Sequence, residues 1–272
     1  NLAAAKLLEK TNTQEAIERR NHLFTLEKKR QIGKVGRIEK IEVKYKGVPS
    51  DCTLIMNKDL STPYDCARHL GEWHAESSAL ALLDGSVHWD MHKPLTDNCT
   101  LEFQNYTSPE PQQVNKAFWR TCSLVLGACA SVAFKDSYTV KLHSFSGADI
   151  RSGSFIYDVD LPDLKSWKPT PIELQTLSAE FIKLCRKNTQ VERLEVSQPL
   201  ALEMFANGKV TLYRIDKHVD ISKGPMINNT SQIGRVTVAS VHQIGVALPT
   251  GVIINHFAYK ILEDRAKKLV CM

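Results

Sequence analysis

Residues 38–71, IEKIEVKYKGVPSDCTLIMNKDLSTPYDCARHLG, decide the fold because the spacing of apolar residues changes within them. Ile41, Val43 and Tyr45 alternate with charged residues, and a period of two is typical of a half-buried strand. A glycine then turns the chain into a second apolar run at 53–57. The first part of the stretch therefore predicts two strands joined by a turn.

The second part of the stretch predicts a helix. Ser61 or Thr62 supplies an N-cap, and Pro63 suits the first position of a helix. We expect this helix to cover 64–69 and to stop near Gly71, because glycine commonly follows the last helical turn.

Two further strands, expected over 79–83 and 99–103, complete a small α+β domain of the β-grasp kind that we place at 38–106. The segment 106–111 holds two prolines among polar residues and can continue neither a helix nor a strand. It therefore marks a boundary, and 112–272 form the second predicted domain, which is larger and also α+β.

Helices and strands are mixed in the second domain as well. The elements expected there are a buried helix over 114–134, strands over 138–145 and 155–161, helices over 171–187 and 200–206, and a C-terminal helix over 255–269. The whole chain is therefore assigned to the α+β class.

Positive charge is concentrated at the amino end of the chain. The full sequence carries +5, whereas 1–47 alone hold twelve Lys and Arg against six Asp and Glu. We interpret 1–37 as a basic helical arm that is capped by Asn12 and has an imperfect apolar stripe. The cluster Lys28-Lys29-Arg30 near its end suits a solvated helix terminus and an RNA contact equally well.

Composition and spacing exclude several classes of protein. The uncharged, apolar-leaning run 121–134 is shorter than the ~20 residues that a membrane span needs, so we expect no membrane span. The seven cysteines form no CxxC pair, so we expect neither a disulfide framework nor a zinc ribbon. His88 and His92 form an HxxxH in a predicted strand and turn, where this spacing does not place both side chains on one face, so we expect no metal site.

An ordered set of motifs spans roughly 38–250. The motifs are Thr62-Pro-Tyr-Asp-Cys-Ala67, Asp84-Gly-Ser-Val-His-Trp-Asp90, Lys93-Pro-Leu95 and Asn98-Cys-Thr-Leu-Glu102, followed by Phe118-Trp119, Gly153-Ser-Phe-Ile-Tyr-Asp158, Glu192-Arg-Leu-Glu-Val196, Ala201-Leu-Glu-Met-Phe205 and Asp220-Ile-Ser-Lys-Gly-Pro225. The first group resembles the small β-grasp (TGS) domain that opens threonyl-tRNA synthetases, and the second resembles the editing domain that follows it there.

Editing chemistry in that family uses two histidines on one face of a helix and a Cys-x-x-x-His on a distant turn. The resemblance places these positions at Arg120, Leu124, Ser222 and Met226. A guanidinium stays protonated, leucine has no lone pair and a thioether does not titrate near neutrality. The resemblance therefore implies a degenerate threonyl/alanyl-tRNA synthetase editing-like domain with no catalytic residues, no metal and no cofactor.

A scaffold of this kind without its catalytic groups resembles the threonyl-tRNA-synthetase-like proteins of the mitochondrial large ribosomal subunit. That resemblance implies a structural, non-catalytic protein of the mitochondrial matrix that contacts large-subunit ribosomal RNA and neighbouring mitochondrial ribosomal proteins. The residues expected to contact RNA phosphates or neighbouring proteins are the basic ones of the amino end: Arg19, Arg20, Lys28, Lys29, Arg30, Lys34, Arg37 and Lys40. Two alternatives stay open, a free-standing tRNA-binding regulator and a residual aminoacyl-tRNA deacylase that uses Ser222 or His218.

Overall fold

The computed structural model describes residues 13–144, 154–164, 167–196, 210–247 and 252–261. In chain order, the elements are α1 (Gln14–Lys34), β1 (Lys40–Tyr45), β2 (Cys52–Asn57), α2 (Pro63–Leu70), α3 (Glu72–Ser77), β3 (Leu80–Leu83), β4 (Val87–Trp89), β5 (Cys99–Gln104), α4 (Gln112–Val132), β6 (Lys141–Ser144), β7 (Ser154–Asp160), α5 (Pro171–Arg186), β8 (Glu192–Val196), β9 (Val210–Ile215), β10 (His218–Ile221), β11 (Val236–Ala247) and β12 (Val252–Ile261). The predicted α+β class is confirmed.

The first sheet has the strand order β2-β1-β5-β3-β4. Strands β1 and β5 pair in parallel, with Val43 opposite Cys99, and the other neighbours are antiparallel. The alternation in β1 is confirmed, since Ile41, Val43 and Tyr45 are buried while the residues between them are exposed. The domain boundaries predicted around this sheet stay predictions.

Helix α2 begins where the sequence predicts. Thr62 and Asp65 form a reciprocal capping box, Pro63 occupies the first turn and Gly71 follows the helix with a φ of 149°. The short helix α3 was not predicted, because its N-cap is that same Gly71 and makes no side-chain capping bond. Both helices place small side chains, among them Ala67 in α2, in the core of the first sheet.

Helix α4 is the central element of the rest of the molecule. It is buried on nearly all sides and packs against β7 and α5. Gly127 permits this contact, because a Cβ there would lie 2.5 Å from Cε2 of Tyr157. The main hydrophobic core therefore forms around α4, and it also includes Ala79 and Leu80 from the edge of the first sheet.

Two antiparallel sheets, β10-β9-β8 and β11-β12-β7-β6, complete the described fold. The prediction of a C-terminal helix over 255–269 is wrong for 255–261, which lie in β12 and pair with both β11 and β7. The stretch 252–261, VIINHFAYKI, is rich in β-branched and aromatic residues, which favour a strand once a neighbour is available on each side. The rest of that predicted helix and the one over 200–206 lie outside the described residues.

Two smaller expectations are also corrected. Helix α1 is capped by Thr13, whose side chain accepts a hydrogen bond from the N–H of Ala16, whereas the predicted cap Asn12 lies outside the described residues. The strand expected over 138–145 is confined to the four residues of β6 within the described part of the chain. In the described residues, no helix is both long and apolar enough to cross a bilayer.

Candidate functional site

The basic amino-terminal helix α1 lies against the sheet β10-β9-β8 along one side. Phe24 is fully buried there and shares a hydrophobic cluster with Leu194, Leu212 and Val219. Because a helix advances by about 100° per residue, a buried Phe24 commits one face of α1 to the sheet and leaves the opposite face outward. The predicted arm is therefore a docked helix over its described length.

Polar contacts reinforce this docking. The Nζ of Lys28 lies 2.7 Å from Oε1 of Glu192, whose Oε2 accepts a hydrogen bond of 2.5 Å from Nε of Arg214. The Arg214 guanidinium lies 4.3 Å from the centre of the Phe24 ring, which is cation–π geometry. Burial by itself raises the pKa of Glu192, but the contacts with Lys28 and Arg214 outweigh it and lower that pKa below its ordinary value.

Two side chains of α1 also bind main-chain oxygens of the larger part. Gln31 donates through Nε2 to the carbonyl oxygen of Glu195 at 2.7 Å, and Asn21 donates to the carbonyl oxygen of Lys217. Because both acceptors are main-chain oxygens, these bonds tie α1 to β8 and to the turn between β9 and β10.

Arg20 of α1 belongs to a buried polar group that we call the Asp220 cluster, made of Arg20, Tyr157 and Asp220. The Tyr157 hydroxyl donates to Oδ2 of Asp220 at 2.5 Å, and the other oxygen of Asp220 accepts the N–H of Ile221 at 2.8 Å. Burial lowers the pKa of Arg20, while the charges of Asp220 and Tyr157 act to raise it. Burial and the neighbouring Asp220 raise the pKa of Tyr157, so its hydroxyl stays protonated and donates.

A second group of the same composition, the Asp90 cluster, contains Asp90, Arg193 and Tyr213. The Tyr213 hydroxyl donates to Asp90 at 3.0 and 3.1 Å, the N–H of Met226 donates at 2.8 Å, and Nε of Arg193 lies 3.1 Å from Oδ2. Burial raises the pKa of Asp90, although its three partners act in the opposite direction. Because Asp90 follows β4 and its partners lie in β8, β9 and the loop after β10, this cluster joins the first sheet to the rest of the molecule.

The four positions that the resemblance equates with editing residues lie close to these clusters, and two of them belong to the core. Leu124 and Met226 are 0% and 1% exposed and belong to the main hydrophobic core. Arg120 donates to the carbonyl oxygen of Pro225 at 3.3 Å, and the Ser222 hydroxyl accepts from the N–H of the glycine two residues on. None of these four side chains offers a base that titrates near neutral pH, so the arrangement supports packing and not hydrolysis.

The eight basic residues singled out in the sequence divide into two sets. Those that the fold itself uses are Arg20 in the Asp220 cluster, Lys28 on Glu192, Arg30 on Glu27 and Lys40 on Asn57. The other four are exposed, and we call them the outer cations: Arg19, Lys29, Lys34 and Arg37. Contact with RNA stays a prediction for both sets, but the geometry favours the outer cations.

The remaining candidate side chains do not converge on a site. His88 faces Oε1 of Gln104 at 2.8 Å, whereas His92 lies 3.2 Å from the carbonyl oxygen of Asn228, so the two histidines of the HxxxH have separate partners. Within the described ranges, no group of three His, Cys, Asp or Glu side chains could hold a metal ion.

Sequence reasoning missed the role of Asp90, Tyr157 and Tyr213. Tyr213 is 123 positions from Asp90, and Tyr157 is 63 positions from Asp220. No local period or motif spacing signals a hydrogen bond over such distances. For Asp90 and Asp220, the sequence offers one general signal: a charge that becomes buried needs a partner.

Comparisons with known proteins cover most of the chain. The large ribosomal subunit protein mL39 of Drosophila melanogaster is 47% identical over 282 aligned residues, which cover 93% of this chain and 84% of that protein. No family model matches the chain.

More distant similarity connects the chain with aminoacyl-tRNA ligases. Threonine–tRNA ligase 2, cytoplasmic, of Homo sapiens is 27% identical over 65% of this chain and 22% of the ligase. Threonine–tRNA ligase of Thermotoga petrophila is 28% identical over 66% of this chain and 28% of the ligase. The chain thus spans only about a quarter of the ligases that it matches.

Proposed function

The chain belongs to the family of the large ribosomal subunit protein mL39, and on that premise we propose that it is a structural, non-catalytic component of the mitochondrial large ribosomal subunit. The observation that carries this proposal is the extent of the similarity, 47% identity over 93% of the chain, against 27% over 65% for a ligase. Its partners are then large-subunit ribosomal RNA and neighbouring ribosomal proteins.

The positions that the resemblance equates with the editing site support the same proposal. Hydrolysis of an aminoacyl ester needs a group that activates water, and the side chains at these four positions are a guanidinium, a thioether, a leucine and a hydroxyl, none of which is itself a base near neutral pH. Leu124 and Met226 are closed into the core, so a substrate could reach them only if the core opened.

The outer cations supply the surface for RNA. Arg19 and Lys29 lie in α1 on the side away from Phe24, Lys34 closes the helix and Arg37 follows it. Exposed Lys and Arg bind phosphate oxygens and release counterions, which gives affinity that falls with salt. Docking of α1 on the sheet holds these residues in place before assembly, so little ordering of the helix accompanies binding.

The first test is incorporation into the large subunit. The variant Arg19→Gln, Lys29→Gln, Lys34→Gln removes three outer cations, and a matched control, Lys116→Gln, Lys135→Gln, Lys168→Gln, removes three exposed lysines elsewhere. We expect the first variant to keep its thermal stability and to sediment less with large subunits. Its slope of log affinity against log salt should be smaller by about three, one for each lost phosphate contact.

Three outcomes separate the parts of this proposal. Unchanged sedimentation of the outer-cation variant would contradict the role of α1 in binding RNA. A wild-type chain that runs free of large subunits at moderate salt would contradict the structural role and favour the tRNA-binding regulator. Hydrolysis of seryl-tRNA that disappears in Ser222→Ala would favour the deacylase.

A further inference from the structure

A surface pocket of about 450 Å³ lies beside the last two turns of α5, and we call it the α5 pocket. Its lining residues come from one face of the helix and from the residue that follows it: Ala179, Ile182, Lys183, Arg186 and Lys187. Three of the five are cations and none is an acid. Because pockets for small molecules measure about 300–1,000 Å³, the size and the charge of this pocket favour a small anionic group.

The lining of the α5 pocket changes in character along the helix axis. Ala179 and Ile182 form an apolar end, whereas Arg186 and Lys187 form a basic end. Positions 179 and 186 are two turns apart, which is about 10 Å along a helix. A ligand that fills both ends therefore has an apolar part and a negatively charged part within about 10 Å of each other.

The cations of the α5 pocket keep hydrogen-bond donors for a ligand. Nζ of Lys183 lies 3.2 Å from Oε2 of Glu180, and Nζ of Lys187 lies 2.6 Å from Oδ2 of Asp216. Each lysine thus binds one carboxylate, and an ammonium has three donors. Arg186 is exposed, and no carboxylate in the part of the chain that the structure describes forms an ion pair with it. Its guanidinium is therefore the main anion-binding group of the pocket.

The end of α5 does not itself require these cationic side chains. Lysine and arginine near the end of a helix often bind its last carbonyl oxygens, but other donors do so here. The main-chain N–H of Lys187 donates to the carbonyl oxygen of Leu184 at 3.3 Å. The Thr230 hydroxyl donates to the carbonyl oxygen of Cys185 at 3.2 Å. The charged ends of the pocket cations are thus left for a ligand.

One turn connects the α5 pocket with the basic helix α1. Asp216, which binds Lys187, is followed by the exposed Lys217 in the turn between β9 and β10. The carbonyl oxygen of Lys217 accepts a hydrogen bond from Asn21 of α1. The α5 pocket and the helix that carries the outer cations therefore contact the same turn. This continuity favours RNA over an acidic protein as the ligand.

We propose that the α5 pocket binds one unpaired nucleotide of large-subunit ribosomal RNA. The phosphate lies against Arg186 and the two lysines, and the ribose and base lie against Ala179 and Ile182. A paired nucleotide presents mainly its backbone, whereas an unpaired one is splayed out and enters a pocket. The proposal rests on the structural role in the large subunit proposed above. It adds a second RNA contact, in the larger part of the molecule, to that of the outer cations.

Site-specific crosslinking in the assembled large subunit tests which class of molecule fills the pocket. A photoreactive phenylalanine analogue replaces Ala179 in one variant and Val132 in the control, because Val132 is exposed at the end of α4. We expect the Ala179 variant to give a crosslink to one RNA position that the control does not give. A crosslink to protein, the same RNA crosslink from both variants, or none would overturn the proposal. Failure of the wild-type chain to enter large subunits would instead contradict the structural role itself.

Binding of the full chain to a single-stranded uridine dodecamer gives an independent measurement. The variant Lys183→Gln, Arg186→Gln should lower the affinity about tenfold at physiological salt. It should also reduce the slope of log affinity against log salt by about 1.4, since each phosphate contact on a single strand contributes about 0.7. The matched control is Lys116→Gln, Lys135→Gln, which removes two exposed lysines elsewhere. An equal loss in the control, or an equal loss of affinity for an RNA duplex of the same length, would contradict a site for an unpaired nucleotide.

A charge placed inside the pocket separates the pocket from the general field of α5. Ala179→Glu adds a carboxylate to the lining, whereas Gln175→Glu adds the same charge at an exposed position one turn earlier, outside the lining. We expect the first variant to lose about as much affinity for the dodecamer as the double variant and the second to lose little, with both melting temperatures within the error of the wild type. Equal affinities of the two variants would contradict binding in the pocket.

Discussion

The Asp90 and Asp220 clusters have the same three side chains, an aspartate, a tyrosine and an arginine, yet they join different parts of the chain. In the first, the aspartate comes from the first sheet and finds Arg193 and Tyr213 in the larger part. In the second, Asp220 and Tyr157 lie in the larger part and α1 supplies the arginine. A buried aspartate of the interior thus faces each of the two peripheral elements.

The two arginines differ in the direction in which the pKa is shifted. Burial lowers the pKa of Arg193, but the charges of Asp90 and of Glu195 outweigh that effect and leave the pKa raised. For Arg20, burial dominates and the pKa is lowered. In both clusters burial disfavours the charged arginine and the aspartate favours it, and the balance of the two effects differs between the clusters.

The largest expected effect comes from Asp90→Ala. This change leaves Arg193, the Tyr213 hydroxyl and the N–H of Met226 without their acceptor, and loss of one partner of a buried ion pair costs about 3–5 kcal/mol. Urea unfolding measures the loss of free energy, with Asp97→Ala as the control because the Asp97 side chain is 78% exposed. Equal stability of the two variants would contradict a connecting role for the Asp90 cluster.

A smaller and more local effect is expected for Arg20→Ala. Asp220 keeps its hydrogen bonds from Tyr157 and from the N–H of Ile221, so only the docking of α1 should weaken, by about 1–3 kcal/mol. Hydrogen exchange should show faster exchange of α1 amides and unchanged protection in α4. Arg19→Ala, on the outward side, is the matched control, and an equal effect of both variants would mean that Arg20 does not hold the helix.

The elements of the first sheet could be predicted because their signals are local. The alternation of Ile41, Val43 and Tyr45 and the capping box at Thr62 act over two to four residues, and both are found in the structure. The strand β12 could not be predicted in this way, because a single stretch cannot show that β11 and β7 will lie on either side of it. The pairing with β11 and β7 in the folded chain therefore determines that this segment is a strand.

The same distinction applies to the candidate site. At Leu124 and Met226, side-chain chemistry alone shows in the sequence that neither residue can act as a base. The use of Arg20 and Lys28 is not visible there, because a cation looks the same in sequence whether it faces phosphate or a carboxylate 164 positions away. Only folding sorts the basic residues of α1 into an inner and an outer set.

The smallest expected effect is a dependence of α1 docking on acid, carried by Lys28 and Glu192. The pKa of Glu192 is lowered in the folded chain, so its contribution to docking is present above the ordinary glutamate value of 4.5 and is lost as the pH falls through the lower folded value. Hydrogen exchange of α1 at pH 6 and near pH 4 should show weaker protection in acid. Lys28→Gln leaves Glu192 with Arg214 alone, which should reduce docking by about 0.5–1 kcal/mol at pH 6 and flatten the acid dependence.

Lys29→Gln is the control for this measurement. Glu27, whose pKa is lowered mainly by its hydrogen bond to Arg30, is present in both variants, so its titration cancels from the comparison. If Lys28→Gln and Lys29→Gln respond to acid alike, the ion pair between Lys28 and Glu192 does not contribute to docking. The docking of α1 then depends on Phe24 and Arg20, and Lys28 does not differ from the outer cations in its electrostatic effect.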